Sequence, residues 1–298
     1  MNKIKNNFSI IDLENLSGIK AHNIRIWEKR YQIFNPTRHG NNERLYDIDD
    51  LKKALNISFL QNNNWKISKI ANLSVHEMEL KVDEIVLKNG NCHEALNQFK
   101  VAMLSFDQNL FHQTYHKLLA QLSFREIFME ILVPFLDFIG MLWQTGTIIP
   151  AHEHFISQLI ENKLHVNIEK IEQKNIDNTK TFVLFLPENE VHNLGLLYIQ
   201  YELLLKGYHT IYLGPSIPIA NLKVLQKLYH PIVFISQLTV APSIEGIKEF
   251  VHSIQDDLLA NSQDECWVSG RKAKSVLPYI SAANFKPFLT IKELLNTI

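Results

Sequence analysis

The chain of 298 residues is 46% hydrophobic and 20% charged, with a net charge of −1, which suits an ordinary soluble protein of two or three packed domains. No apolar run approaches the roughly 20 residues of a membrane span, and the start, Met-Asn-Lys-Ile-Lys-Asn-Asn, lacks the apolar core of a signal peptide, so the expected location is the cytoplasm. The two cysteines, Cys92 and Cys266, are far apart and match no metal spacing; buried or free thiols are expected.

Charge is unevenly placed. Residues 1–75 hold 12 Lys and Arg against 7 Asp and Glu, a surplus of +5 over a body of −6, as a polyanion-binding end would require. Ser9 caps a short helix with apolar residues at 10, 13 and 16, and Gly18 stops it. Lys20 to Tyr31 forms a second helix with Ile24, Trp27 and Tyr31 on one face. Two short helices about a glycine turn are a helix-turn-helix shape. Residues 36–46 then form a hairpin tipped by His-Gly-Asn-Asn and flanked by Arg38 and Arg44, and Asp47 caps a helix running to about Asn62. Taken singly, each arginine reads as part of a solvated face; together they suit a recognition helix and a phosphate-touching wing.

Residues 76 to 170 read as a bundle of about four helices, with Phe124, Ile127, Phe128, Ile131, Leu132 and Phe135 in helical rhythm. This aromatic stripe reads as core. Trp143 and Gly146 close one helix, Pro150 opens the next, and Glu153-His154 sits on its first turn, where a helix dipole favours a carboxylate. His152 and His154, two apart, face different ways and do not by themselves make a metal site.

From about residue 180, strands at 181–186, 209–213, 232–236, 266–269 and 288–290 alternate with helical runs, giving a five-stranded parallel, doubly wound sheet that binds ligands at its carboxyl edge. His192 stands on that edge, with Glu190 two residues before it and Gly195 three after. An imidazole there can ligate a transition metal while a carboxylate fixes its tautomer. The expected domains are 1–75, 76–175 and 176–298.

Ile24-Arg25-x-Trp27-Glu28-x-Arg30-Tyr31, Pro36-x-Arg38 and Arg44-x-Tyr46-x-x-x-Asp50-Leu51 together resemble the winged-helix DNA-binding domain of the MerR family of transcription regulators. The resemblance covers roughly residues 8 to 75. It implies packing roles for Trp27, Tyr31 and Tyr46, DNA contacts from Arg25, Arg30, Arg38 and Arg44, and a position near base edges for His22 and Asn23. Asn41-Asn42-Glu43 stands where a wing glycine is usual. The cysteine cluster with which many MerR relatives bind metals is absent from the sequence.

Trp143, then nine residues, then Glu153-His154 resembles the cap motif of the cobalamin-binding photoreceptor regulators, the CarH and LitR group. There the helical bundle covers the upper face of adenosylcobalamin; methylcobalamin is the alternative cofactor. Glu190-x-His192-x-x-Gly195, Ser236-x-Leu238 and Ser269-Gly270 resemble the signature of the flavodoxin-like cobalamin-binding domain, with Glu190 in place of an aspartate and Ser269 in place of the first glycine. This implies that His192 is the lower cobalt ligand, that Glu190 orients it, and that the displaced benzimidazole tail enters a slot beside Ser236, Leu238 and Gly270.

The function implied is a light-sensing transcription regulator. Adenosylcobalamin under the cap stabilises an oligomer, dimer or tetramer, that binds operator DNA, and photolysis loosens it. In the best-matched photoreceptors a histidine follows the cap tryptophan; here Gln144 does, so no stable bis-histidine adduct through position 144 is expected. RNA polymerase or an antirepressor is a further partner in this reading. A second reading is a regulator that has lost the cofactor and answers to a protein partner. A third, a corrinoid enzyme component, is opposed by the DNA-binding segment and by the absence of a recognisable catalytic barrel in the sequence.

Overall fold

A computed structural model describes residues 7–39, 43–89, 92–172, 176–260 and 263–298. The wing tip, Gly40 to Asn42, and the side chain of Cys92 lie outside what is described. The chain divides into two compact units, Met1–Leu159 and Ile160–Ile298.

The first unit begins with α1 (Ile10–Ser17), held at its start by a capping box between Ser9 and Asp12 and ended by Gly18 at φ 77°. Next come α2 (Ala21–Tyr31), the hairpin β1 (Thr37–His39) and β2 (Glu43–Leu45), α3 (Ile48–Asn62) capped by Asp47, and the single turn α4 (Ile67–Ile70). Leu13, Leu16, Ile24, Trp27, Tyr46, Leu51 and Leu55 close this core.

The helices α5 (Val75–Asn89), α6 (Cys92–Ser105) and α7 (Gln108–Leu119) follow. Then α8 (Phe124–Glu126) passes through a π-helical turn at Ile127–Leu132 into α9 (Val133–Gln144), and α10 spans Pro150–Glu169. The aromatic stripe is core: Phe99, Phe111, Phe128 and Phe135 are fully buried. Two polar contacts fasten α1 to the bundle. The Lys100 Nζ donates to the Leu16 carbonyl at 3.1 Å, one of the orphan carbonyls of a helix end, and burial lowers its pKa to about 8. Asn15 donates to the Thr147 hydroxyl at 3.0 Å, in the turn that follows Trp143.

The second unit holds β3 (Asp177–Phe185), α11 (Leu194–Leu205), β4 (Tyr208–Gly214), β5 (Ile232–Gln237), α12 (Ile247–Ile254), β6 (Glu265–Ser269), β7 (Phe285–Pro287) and α13 (Ile291–Thr297). The sheet order is β4-β3-β5-β6-β7, all parallel. Apolar residues alternate to both faces: Phe182, Leu184, Val233 and Ile235 meet α11 and α13, while Val183, Phe185, Phe234 and Val268 meet α12.

Three details add to or differ from the sequence reading. The last strand is Phe285–Pro287, three residues earlier than expected, because Thr290 is spent as the N-cap of α13; a proline is tolerated there on an edge strand. The helical runs of the β4–β5 and β6–β7 connections are of the 3₁₀ type, Ile219–Lys227 and Ala273–Tyr279. The middle segment has α5 in addition to the bundle helices. No helix of the described residues is long and apolar enough to cross a membrane.

Candidate cobalamin and DNA sites

The sheet order reverses between β3 and β5, and at such a switch point two loops part to leave a crevice at the carboxyl edge. The loop after β3 carries Glu190, His192 and the start of α11. The loop after β5 carries Leu238 to Ala241. Glu190 joins them.

Its Oε1 accepts from the Val191 and His192 amides at 3.0 and 3.1 Å and from His192 Nδ1 at 2.6 Å. Its Oε2 accepts from the Thr239, Val240 and Ala241 amides at 2.9, 2.7 and 2.9 Å. The side chain has no exposed surface. Burial alone would raise its pKa, but the His192 ring and the loop amides outweigh it and hold the carboxyl down at about 2. The group is therefore an anion at neutral pH, and the His192 ring, 42% exposed, is turned with Nδ1 towards it. A proton on Nδ1 shared with that carboxylate leaves Nε2 as the ring nitrogen with a lone pair, the form in which an imidazole can bind a metal.

Neighbouring residues hold the crevice. Leu238 N–H donates to the Ser269 carbonyl at 2.8 Å and Lys272 N–H to the Leu238 carbonyl at 3.0 Å, while Lys272 Nζ donates to the Val240 and Pro242 carbonyls. Gly270 has φ 101°, and a Cβ there would lie 2.5 Å from the Leu238 carbonyl oxygen. The hydroxyls of Ser236 and Ser269 are buried with no hydrogen-bond partner among the described residues, an unmet polar demand at the ends of β5 and β6 that a polar ligand would satisfy. An oriented imidazole, glycine-lined backbone and unmet hydroxyls fit a cobalamin.

Sequence reasoning missed three participants. Lys272 looks like a surface lysine. Gln237, between Ser236 and Leu238, packs its amide against Gly195. Asn193 donates to Glu161 of α10 at 2.5 Å, and the charge of Glu161 adds to burial in pushing the Tyr212 phenol up to about 12. Only the position of Gln237 inside the Ser-x-Leu triplet could have drawn attention to it.

In the first unit, Trp143 closes α9 with 55% of its surface exposed beside the 46% exposed Met141. Glu153 is half-buried and His154 exposed on the first turns of α10. His152 is fully buried, accepting from the Ile149 amide at 3.3 Å and stacking on Phe106, so it serves the fold. Gln144 is exposed next to Trp143.

His22, Asn23, Arg25 and Arg30 are exposed on α2 and Arg38 is exposed on β1. Arg44 is different: its Nε donates to both Glu28 oxygens at 3.2 and 3.0 Å, and Tyr46 donates to the same carboxylate at 3.3 Å. That triad braces the hairpin against α2.

Comparison with known proteins finds two family matches and several relatives. The model of the MerR HTH family regulatory proteins matches residues 8–74, and that of the B12 binding domain matches residues 95–166, on α6 to α10. The HTH-type transcriptional repressor CarH of Myxococcus xanthus is 26% identical over 268 residues, 87% of each chain. The monomethylamine corrinoid protein of Methanosarcina barkeri shares the fold at a TM-score of 0.55 and 14% identity, over 70% of this chain and 98% of its own. The chain thus joins a MerR-type helix-turn-helix domain to a B12-binding module.

Proposed function

We propose that this chain is a transcription regulator whose affinity for operator DNA is set by bound adenosylcobalamin and by light, with His192 as the lower cobalt ligand and Glu190 as its orienter. The carrying observation is the 2.6 Å hydrogen bond from His192 Nδ1 to a buried, ionised Glu190 in a chain that also presents a helix-turn-helix. Bound adenosylcobalamin supplies a photolabile cobalt–carbon bond. The chain's own parts do the rest. With a cobalamin bound, Ser236 and Ser269 would offer it their hydroxyls and Gly270 would let it approach the backbone; Trp143, Glu153 and His154 would be the cap residues of the helical bundle. Were the bundle to repack, the Asn15–Thr147 and Lys100–Leu16 contacts would carry that change to α1. The states form an equilibrium that the cofactor biases; the dark form is an oligomer that binds DNA, and the lit form is a smaller species that releases it.

Gel filtration of dark, adenosylcobalamin-loaded protein, followed by green light and an operator shift assay, tests this. The dark sample elutes early and shifts the operator; the lit sample elutes later and does not. An unchanged elution volume and unchanged operator binding after bleaching would remove light from the account. At position 144, the lit spectrum lacks a second protein nitrogen on cobalt, and such a ligand that vanished in Gln144→Ala would contradict this.

At the DNA end, Arg38→Ala weakens binding to all sequences and lowers the slope of log K against log salt by about one, as loss of one phosphate contact requires. An unchanged slope would move that contact elsewhere.

One observation favours a second reading, in which the fold answers to a protein partner without cofactor: the Gln237 amide fills space against Gly195 that a nucleotide tail would need.

A further inference from the structure

Gln237 ends β5 opposite Ser269 in the sheet register and is only 9% exposed. Its amide is pressed onto the first turn of α11. A Cβ on Gly195 would lie 2.2 Å from its Nε2 and 2.4 Å from its Oε1, and a Cβ on Gly270 would lie 3.1 Å from its Cγ. The side chain therefore runs between the two glycines that line the crevice. A side chain at Gly195 would share the volume that the amide fills, and one at Gly270 would crowd its Cγ.

This position is a poor one for an amide. Oε1 is buried without a hydrogen-bond partner among the described residues, in the company of the equally unmet Ser236 and Ser269 hydroxyls. Buried carbonyl oxygens are normally paired, and a glutamine chosen only to fill volume would be served better by an apolar residue. Among the described residues nothing covalent or ionic holds the amide in place, and its side-chain torsions have other staggered wells. By contrast, the backbone around it is fixed by the Leu238–Ser269 and Lys272–Leu238 hydrogen bonds.

We propose that Gln237 is a displaceable plug of the crevice: in the cofactor-free chain its amide occupies the space between Gly195 and Gly270, and it swings out when the nucleotide tail of a cobalamin enters. The inference rests on the cobalamin reading above and adds a specificity-determining residue to it. Only a corrinoid with a tail has to displace the plug, so the plug lowers apparent affinity for tailed corrinoids by the fraction of chains in which it is withdrawn, and it leaves tailless ones unaffected.

The test is an equilibrium titration of the full-length chain, wild type, Gln237→Ala and Gln237→Ser, with hydroxocobalamin and with cobinamide, which has the same ring and lacks the nucleotide. Bound corrinoid is measured by absorbance after ultrafiltration. The expected result is an affinity for hydroxocobalamin about tenfold higher in both variants, with cobinamide affinity equal in all three proteins. The cobinamide arm also shows that the variants keep their fold. Equal hydroxocobalamin affinity in wild type and variants, or a loss of it in the variants, would overturn the plug while leaving the cobalamin reading intact; the loss would instead make the amide a ligand to the tail. Protein that binds neither corrinoid, with or without the substitution, would overturn both the cobalamin reading and the plug.

Discussion

Replacing Glu190 by alanine lowers the unfolding free energy of the α/β unit by about 3–5 kcal/mol, since several backbone donors lose their acceptor at once. The size follows from what the carboxylate holds. It accepts five backbone amides and one imidazole N–H, and both loops at the switch point lose their acceptor together, each buried donor left unmet costing about 1–3 kcal/mol. Glu190→Gln keeps one good acceptor and turns an NH2 group towards amides that need an oxygen, so it costs roughly half as much. The pH dependence has a definite sign. The folded carboxyl titrates near 2 and the unfolded one near 4.5. The wild type therefore has the full contribution above the unfolded value and loses it as pH falls towards 2. The alanine variant lacks that part of the acid slope. Urea unfolding followed by the fluorescence of the four tryptophans, of which Trp267 lies in the α/β unit, at neutral pH and at acid pH reads both effects. Equal free energies for wild type and Glu190→Ala would mean that the amides find water or other acceptors and that the carboxylate does not organise the site.

The second large effect is at Gly270. Alanine there meets the Leu238 carbonyl oxygen at 2.5 Å and its nitrogen at 3.0 Å while holding φ at 101°. Both obstacles are backbone, and that backbone is tied to Ser269 and Lys272. Strain of 1–3 kcal/mol from the dihedral adds to overpacking of 1–3 kcal/mol, so Gly270→Ala is expected to cost about 3 kcal/mol or more and to abolish corrinoid retention. Gly18→Ala is the control. It has a similar positive φ but nothing within 4 Å of its Cβ, so it is expected to cost about 1 kcal/mol, confined to the first unit. Similar unfolding midpoints for the two variants would refute the close-approach argument.

What was legible in the sequence was local. The Ser9 cap, the Gly18 stop, the hairpin about the wing tip, the Asp47 cap and the strand-by-strand alternation are all written within a few residues of where they act, and the structure has them. The last strand was misplaced because Phe288-Leu289-Thr290 has strand-like residues, while the capping bond from Thr290 to Glu293 depends on where α13 begins. Of the partners of Glu190 only His192 could be read from the sequence. Three of the others lie about fifty residues further along the chain and are backbone amides, which carry no residue signature. For the same reason Arg44, which by its type suits a phosphate contact, turns out to brace Glu28 and Tyr46, and Lys100 gives its ammonium group to a helix end. Gln237 shows the limit most plainly. Its place in the Ser-x-Leu triplet is visible, but its conflict with Gly195 exists only once β5 and α11 are packed together.

The central claim, that His192 held by Glu190 is the lower ligand of a bound cobalamin, is tested most directly by electron paramagnetic resonance of the full-length chain loaded with cob(II)alamin. The protein is labelled with nitrogen-15 and the cofactor is left unlabelled. Ligation by His192 turns the axial nitrogen splitting from a triplet into a doublet, and His192→Ala abolishes the doublet. A triplet that persists in the labelled protein would show that the cofactor keeps its own base on cobalt and would contradict the account.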